Sequence, residues 1–288
     1  MRVALLQMNG SDEPADNLAR LERLAAEAVN RGATFLLSPE VSNIVSSSRR
    51  ILAERTTTEA ADPMLARARE IAAEHRLWFL LGSLALRLPG ENRLANRSIL
   101  IGPDGAICAR YDKIHMFDVT LSESDSYRES HSFRPGERAV IARTGFARIG
   151  LSICYDLRFP GLYRKLAKAG ATILAIPAAF TVPTGRAHWR TLLRARAIEN
   201  GAFVLAPAQT GNHRVSAGRP RASWGHSLVV DPWGEVLAEG GTDEAVLLAD
   251  IDFAAVDKAR ARVPSLDHDR AFTGPVIEEC GHAHPRAE

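Results

Sequence analysis

The sequence predicts an α/β fold of two similar halves built on two packed sheets, and three observations carry that expectation. Apolar runs of strand length alternate with segments of helical periodicity. The order of those segments near the start recurs in the second half of the chain. Two hairpin patterns, SILIGPDGAICAR at 98–110 and SLVVDPWGEVLAE at 227–239, each set two apolar strands around a Pro-x-Gly turn and read as equivalent pieces.

Taken in order, VALLQM (3–8), ATFLLS (33–38) and WFLLGSLAL (78–86) are apolar runs bounded by turn residues and read as strands of a buried sheet. Between the first two, the segment from Asn17 to Val29 places Leu18, Leu21, Leu24, Ala25 and Ala28 on one helical face. Pro63 suits the first turn of a second helix reaching about Glu74, so the chain opens β-α-β-α-β. The second series starts with AVIAR and ARIGLSI flanking Thr144-Gly145 as a hairpin. A helix from about Pro160 to Ala169, a strand at 171–179, a helix near 187–200 and a strand at 202–208 follow. The polar stretch from Asp118 to Arg134 lacks periodicity and reads as a long loop, and such loops inside compact domains are often functional. Gly and Ser are dispersed, with no linker between the halves, which gives one domain over 1–270 and a tail over 271–288.

Composition narrows the function. With 46% hydrophobic and 24% charged residues, the 288-residue chain has the material for a substantial core. Lys plus Arg number 36 against 34 Asp plus Glu, too even a balance to argue for nucleic acid or an anionic membrane, so a small-molecule partner is expected. The three cysteines, Cys108, Cys154 and Cys280, are widely separated and form no C-x-x-C, which points to neither a disulfide framework nor a zinc site and fits a reducing cytoplasm. MRVALLQMNG is too short an apolar run for a signal peptide.

The candidate chemistry lies at strand ends. In GLSICYDLRFP, Cys154 follows a strand-like run and would emerge at a sheet's carboxyl edge, where open α/β folds collect reactive groups. Cysteine is also a small hydrophobe, and a buried packing cysteine is the commoner case. Glu40 and Lys113 stand at equivalent boundaries; alone, each reads as a solvated end or a surface cation. Together they cover a thiol nucleophile, a base and a cation for developing negative charge.

The stretches LSPE, YDKIHMFD and GLSICYDLRFP occur in the order and context of the nitrilase, or carbon-nitrogen hydrolase, superfamily, and the chain resembles that family over nearly its whole length. The resemblance implies a four-layer α-β-β-α sandwich of the nitrilase type, usually dimeric, with Glu40, Lys113 and Cys154 as a catalytic triad that needs no metal or organic cofactor. YRES matches the position of a second glutamate, Glu129, expected to share the Lys113 cation with Glu40. The implied reaction is amide hydrolysis through a cysteine thioester, with the Tyr155 N–H helping to hold the oxyanion.

CYDLRFP, APAQTGNH and WGHSLVVDPWG are similar to the amidase branch that contains deaminated-glutathione amidase and ω-amidase, closer to the former. A carboxylate-bearing substrate would need cations, and Arg158 with Arg186 or His213 are the candidates, although Arg158 could equally brace Asp156, and His213 could be an ordinary loop histidine. Phe180 and Thr181 match pocket positions after a central strand; Phe180 could also be core. The terminal CGHAHP has metal-capable residue types but reads as a mobile tail, so no metal is expected. Asp269 stands where relatives often carry a basic residue, and the family varies between Thr120 and Ser130, which limits what transfers there. A catalytically silent binding protein of the same fold is the alternative of another class, and the intact Glu40, Lys113 and Cys154 argue against it.

Overall fold

The computed structural model describes residues 1–122 and 125–278. The first half runs β1 (Arg2–Gln7), α1 (Pro14–Asn30), β2 (Phe35–Leu37), α2 (Arg49–Arg55), α3 (Pro63–His75), β3 (Trp78–Leu86), β4 (Ala95–Ile101) and β5 (Ile107–Asp112), followed by a small hairpin of β6 (Asp118–Ser122) and β7 (Asp125–Arg128). The second runs β8 (Val140–Arg143), β9 (Arg148–Leu151), α4 (Pro160–Lys168), β10 (Ile173–Ala175), α5 (Val182–Asn200) and β11 (Phe203–Ala206). A second small hairpin, β12 (Thr210–His213) and β13 (Arg221–Trp224), precedes β14 (Leu228–Val230), β15 (Val236–Glu239), β16 (Ala245–Asp250) and α6 (Ala254–Arg262).

The doubling is explicit in the strand order. One sheet is ordered β16-β1-β2-β3-β4-β5 and the other β15-β14-β11-β10-β9-β8. In each, three central strands are parallel, an antiparallel strand borders the first of them, and an antiparallel hairpin extends the other side. The halves differ in one respect: β8 reaches β9 through a local turn, whereas β16 returns from the far end of the chain to pair with β1.

Strand alternation sets the layers, because successive side chains face opposite sides of a sheet. Val3, Leu5, Phe35 and Leu37 join the core shared with the second sheet, while Ala4, Leu6 and Leu36 face a core filled by Leu21, Leu24 and Ala28 of α1 and Leu65, Ala68 and Ile71 of α3. On the far side of the second sheet, Leu162 and Leu166 of α4 and Trp189 and Leu193 of α5 complete a helix-sheet-sheet-helix stack. Helix α3 starts where Asp62 accepts a bond from the Leu65 N–H (3.0 Å) and Pro63 fills the first turn. The polar stretch 118–134 is not an irregular loop: it forms the β6–β7 hairpin and a 3-10 turn at Glu129–His131. Its strands pair only with each other, and their described residues are half-buried or exposed, which removes the periodic signal.

Candidate active site

The carboxyl ends of β2, β5 and β9 converge on a cavity of about 330 Å³ whose lining includes Glu40, Lys113 and Cys154, together with Glu129. Each arrives through a different local device. Glu40 opens the turn 40–43 after the segment Ser38-Pro39, which lies against β3: the Ser38 N–H donates to Leu80 O (3.0 Å), the Gly82 N–H to Ser38 Oγ (3.1 Å), and the Val41 N–H to Ser83 Oγ (2.8 Å). Gly82 makes this approach possible, since a Cβ there would sit 1.9 Å from Ser38 O and 2.6 Å from Pro39 O.

Cys154 has φ +50°, a left-handed conformation that costs a non-glycine residue about 1 kcal/mol or more. Two features hold it: its N–H bonds Pro177 O at 2.9 Å, and Asp156, wholly buried, gathers the residues on either side. One Asp156 oxygen accepts from the Ile153 N–H (2.8 Å) and Tyr111 OH (2.7 Å), the other from the His115 N–H (3.0 Å) and contacts His115 Nδ1 (2.7 Å). Tyr111 and His115 flank Lys113, so a single carboxylate ties the lysine segment to the cysteine turn. Burial, reinforced by Asp156, pushes the Tyr111 phenol up, which keeps it a donor.

The Lys113 ammonium lies 2.8 Å from Glu40 Oε1 and 2.9 and 2.8 Å from the two Glu129 oxygens, and Glu129 Oε2 also accepts the Phe117 N–H at 2.7 Å. Asn96 Nδ2 bridges the carboxylates, 2.9 Å from Glu40 and 3.2 Å from Glu129. Burial alone would lift Glu40 and depress Lys113. For Glu40 the Lys113 charge and the bonds from Lys113 and Cys154 outweigh burial and hold the carboxyl below its ordinary value; for Lys113 the two glutamates outweigh burial and raise the amine. Burial, then the Glu40 charge, pushes the Cys154 thiol well up. The resting arrangement is therefore a protonated thiol beside an ionised carboxylate and an ammonium.

Tyr155, Phe180 and Thr181 line the cavity. The three expected cations stand outside the lining. Arg158 lies over the rings of Tyr155 and Phe180 (5.9 and 5.5 Å) and contacts His188 Nδ1 at 3.2 Å, with Asp156 satisfied by Tyr111 and His115 instead. Arg186 covers the Trp224 ring at 5.8 Å. His213 is buried, with its ring nitrogens at 2.7 Å from Gly10 O and from Ser223 Oγ; burial and Arg221 lower it to about 4, so it is neutral and structurally engaged. Besides Lys113, the arginines Arg49, Arg128, Arg219 and Arg221 line the cavity. Sequence reasoning missed them, and it missed Asn96; the available signals were the polar Asn96-Arg97 interruption of an apolar strand and the arginines of GRPRASW.

Among the described residues no group of three or more His, Cys, Asp or Glu side chains could hold a metal ion, and no helix is long and apolar enough to cross a membrane. The CGHAHP stretch lies outside the described residues.

A doubly layered α/β sandwich with a thiol, a carboxylate and an ammonium at its strand ends is a hydrolase architecture, and residues 2–261 match the carbon-nitrogen hydrolase family model. The chain belongs to that family and is a hydrolase of amide-type carbon–nitrogen bonds. It is 38% identical over 278 residues to the deaminated glutathione amidase of Yersinia enterocolitica, covering 95% of this chain and 94% of that one. It is 35% identical over 272 residues to the omega-amidase of Mus musculus, covering 94% and 95%. The crystal structure of the C. elegans NitFhit protein superposes with a TM-score of 0.86 at 35% identity, over 93% of this chain and 65% of that one.

Proposed function

We propose that this chain is an amidase in which Cys154 is the nucleophile, Glu40 carries protons, Lys113 stabilises developing charge and Glu129 holds the lysine in place. The observation that carries this reading is the buried Lys113 ammonium shared between Glu40 and Glu129 in the cavity that Cys154 also lines. Glu40 takes the thiol proton as sulfur bonds to the amide carbon and the carbonyl electron pair moves to oxygen. The oxyanion meets Lys113 and the N–H of Tyr155, an early amide of the 3-10 turn Cys154–Arg158 whose first N–H groups have no acceptor within the turn. Collapse breaks the carbon–nitrogen bond, and Glu40 returns the proton to the leaving amine. Water then gives a proton to Glu40 and attacks the thioester; the second collapse expels the sulfur, which recovers that proton, and the acid departs.

For substrate, the favoured reading is deaminated glutathione, the 2-oxo analogue of glutathione, cleaved to 2-oxoglutarate and cysteinylglycine. The Yersinia relative supports it, and so do the cavity arginines, since a substrate with several carboxylates gains from charge-assisted bonds. A second reading, ω-amidase action on 2-oxoglutaramate, is supported by the mouse relative. Turnover of the two substrates at matched subsaturating concentrations separates them, with deaminated glutathione expected to be preferred. Quenched reactions should carry an acyl adduct on Cys154 by peptide mass spectrometry, and Cys154→Ala should fold and lack turnover. Wild-type turnover in that variant would exclude the covalent route.

The same reading includes a cytoplasmic homodimer. Ile198 of α5 and Trp233 and Leu237 around the outer β14–β15 hairpin are exposed apolar side chains suited to contact with a second copy. A solution mass of one chain would exclude the dimer.

A further inference from the structure

We propose that Asn96 is a positioning residue that locks one oxygen of Glu40 and reserves the other for the Cys154 proton. This rests on Glu40 as the proton carrier in the amidase reading above. Asn96 lies in β4 between β3 and β5, only 1% exposed, so both neighbours fix its backbone. It touches all three charged members of the cluster: its carbonyl accepts the Lys113 N–H (3.0 Å), and its Nδ2 donates to Glu40 Oε1 (2.9 Å) and Glu129 Oε1 (3.2 Å).

The amide orientation follows from the charges, since turning it over would aim Oδ1 at two carboxylates. In the orientation seen, Oδ1 has no hydrogen-bond partner among the described residues, so the side chain gives up a buried acceptor to make its two donations. Glu40 Oε1 thus receives two donors, Lys113 Nζ and Asn96 Nδ2. That saturates one face of the carboxylate and leaves Oε2 to exchange a proton with the sulfur. Without Asn96 the carboxylate could turn about its terminal bond, and Lys113 would alone define its orientation.

The same donation stabilises the Glu40 anion. The charged and titratable groups around Glu40 are Lys113 after β5, Glu129 in the turn after β7, Cys154 after β9 and Arg221 in β13. Asn96 is an uncharged donor among them, and its removal strips stabilisation from the ionised form while leaving every formal charge in place.

The test compares wild type, Asn96→Ala and Asn96→Asp by alkylation of Cys154 with iodoacetamide across the acid range, read on the Cys154 peptide so that exposed Cys108 does not contribute. Base-assisted alkylation falls as Glu40 protonates. The acid limb is expected to move up by about one pH unit in Asn96→Ala. It should move further in Asn96→Asp, which keeps the shape but replaces the donor with a carboxyl group. Amide turnover in Asn96→Ala should fall about 10-fold in kcat with KM little changed, as for loss of one bond to a charged group. Circular dichroism gives the folded fraction. An acid limb that stays at the wild-type pH in both variants, with rate losses tracking only the folded fraction, would overturn the proposal. Alkylation needs no amide substrate, so a wild type inert to amides removes the amidase reading and still leaves this comparison decisive for Asn96.

Discussion

Lys113 is an ammonium with almost no exposure, and a lone cation at that depth would shed its proton. It stays charged because two carboxylates meet it at hydrogen-bond distance, so the cluster is interdependent: removing the cation strands two acids. Lys113→Met is therefore expected to cost about 3–5 kcal/mol, the range for breaking a buried pair from one side. The pH dependence should also change sign. In the wild type the Glu40 carboxyl lies below its ordinary value of 4.5, so its contribution is present above that value and is lost as pH falls through the lower, folded one. In Lys113→Met burial dominates and lifts the Glu40 carboxyl above its unfolded value, so protonation favours the folded form and stability rises as pH falls from neutrality towards 5. Thermal unfolding of both proteins between about pH 5 and 7 reads the difference. A variant that gains no stability over the wild type as the pH falls across that window would show that Lys113 does not govern Glu40.

At the scale of elements, the Glu40 turn depends on a glycine in its neighbouring strand. A Cβ at Gly82 would meet Ser38 O, Pro177 Cβ and Pro39 O at 1.9, 2.5 and 2.6 Å, and these are backbone or ring atoms that cannot swing aside. Gly82→Ala is expected to cost about 1–3 kcal/mol as overpacking. It should also lower turnover about 10²-fold, because the turn that displaces Glu40 moves by an ångström or more. Gly145→Ala, in the β8–β9 turn with nothing within 4 Å of its Cβ, is the control and should leave melting temperature and activity unchanged. Equal effects of the two changes would rule out a specific role for the Gly82 contact. Such contacts explain what was legible in the sequence. Central strands announced themselves as buried apolar runs, α1 and α5 by periodicity, and α3 and α4 by their opening prolines, although α1 starts at Pro14 and α5 at Val182, ahead of the Asn17 and 187 read from sequence. Helix α2 and the β12–β13 hairpin did not, because they are short pieces wrapped around the cavity. The strand-end position and family motifs of Glu40, Lys113 and Cys154 were readable, but Arg221 and Asn96 approach from elements whose aim only the tertiary fold defines.

Across the whole molecule, the two sheets share one core, with Val3, Leu5, Phe35 and Leu37 of the first packed in the same cluster as Ile149, Leu151, Ile173 and Val204 of the second. Strand β16, which follows the second half in sequence, completes the first sheet by pairing with β1 along Arg2–Gln7. Neither half can then bury its inner face alone, and the doubled chain should behave as one unit. Trp78 opens β3 of the first sheet and Trp189 is a buried residue of α5 in the second half, so tryptophan fluorescence and far-UV circular dichroism sample both halves. Their thermal transitions are expected to coincide. A chain ending after Gly241 loses β16, turns β1 into an unpaired edge and uncovers Ala4 and Leu6, so it should fail to fold or should aggregate. A chain ending after Arg270 loses Phe272, Val276 and Ile277, which are 91%, 78% and 88% exposed and bury almost nothing within the chain. It should therefore melt within a few degrees of the full protein, as a unit bounded near residue 270 requires. Two separated transitions in the full chain, or a cooperative fold in the chain that lacks β16, would mean that the halves are independent and that the catalytic cluster spans two domains.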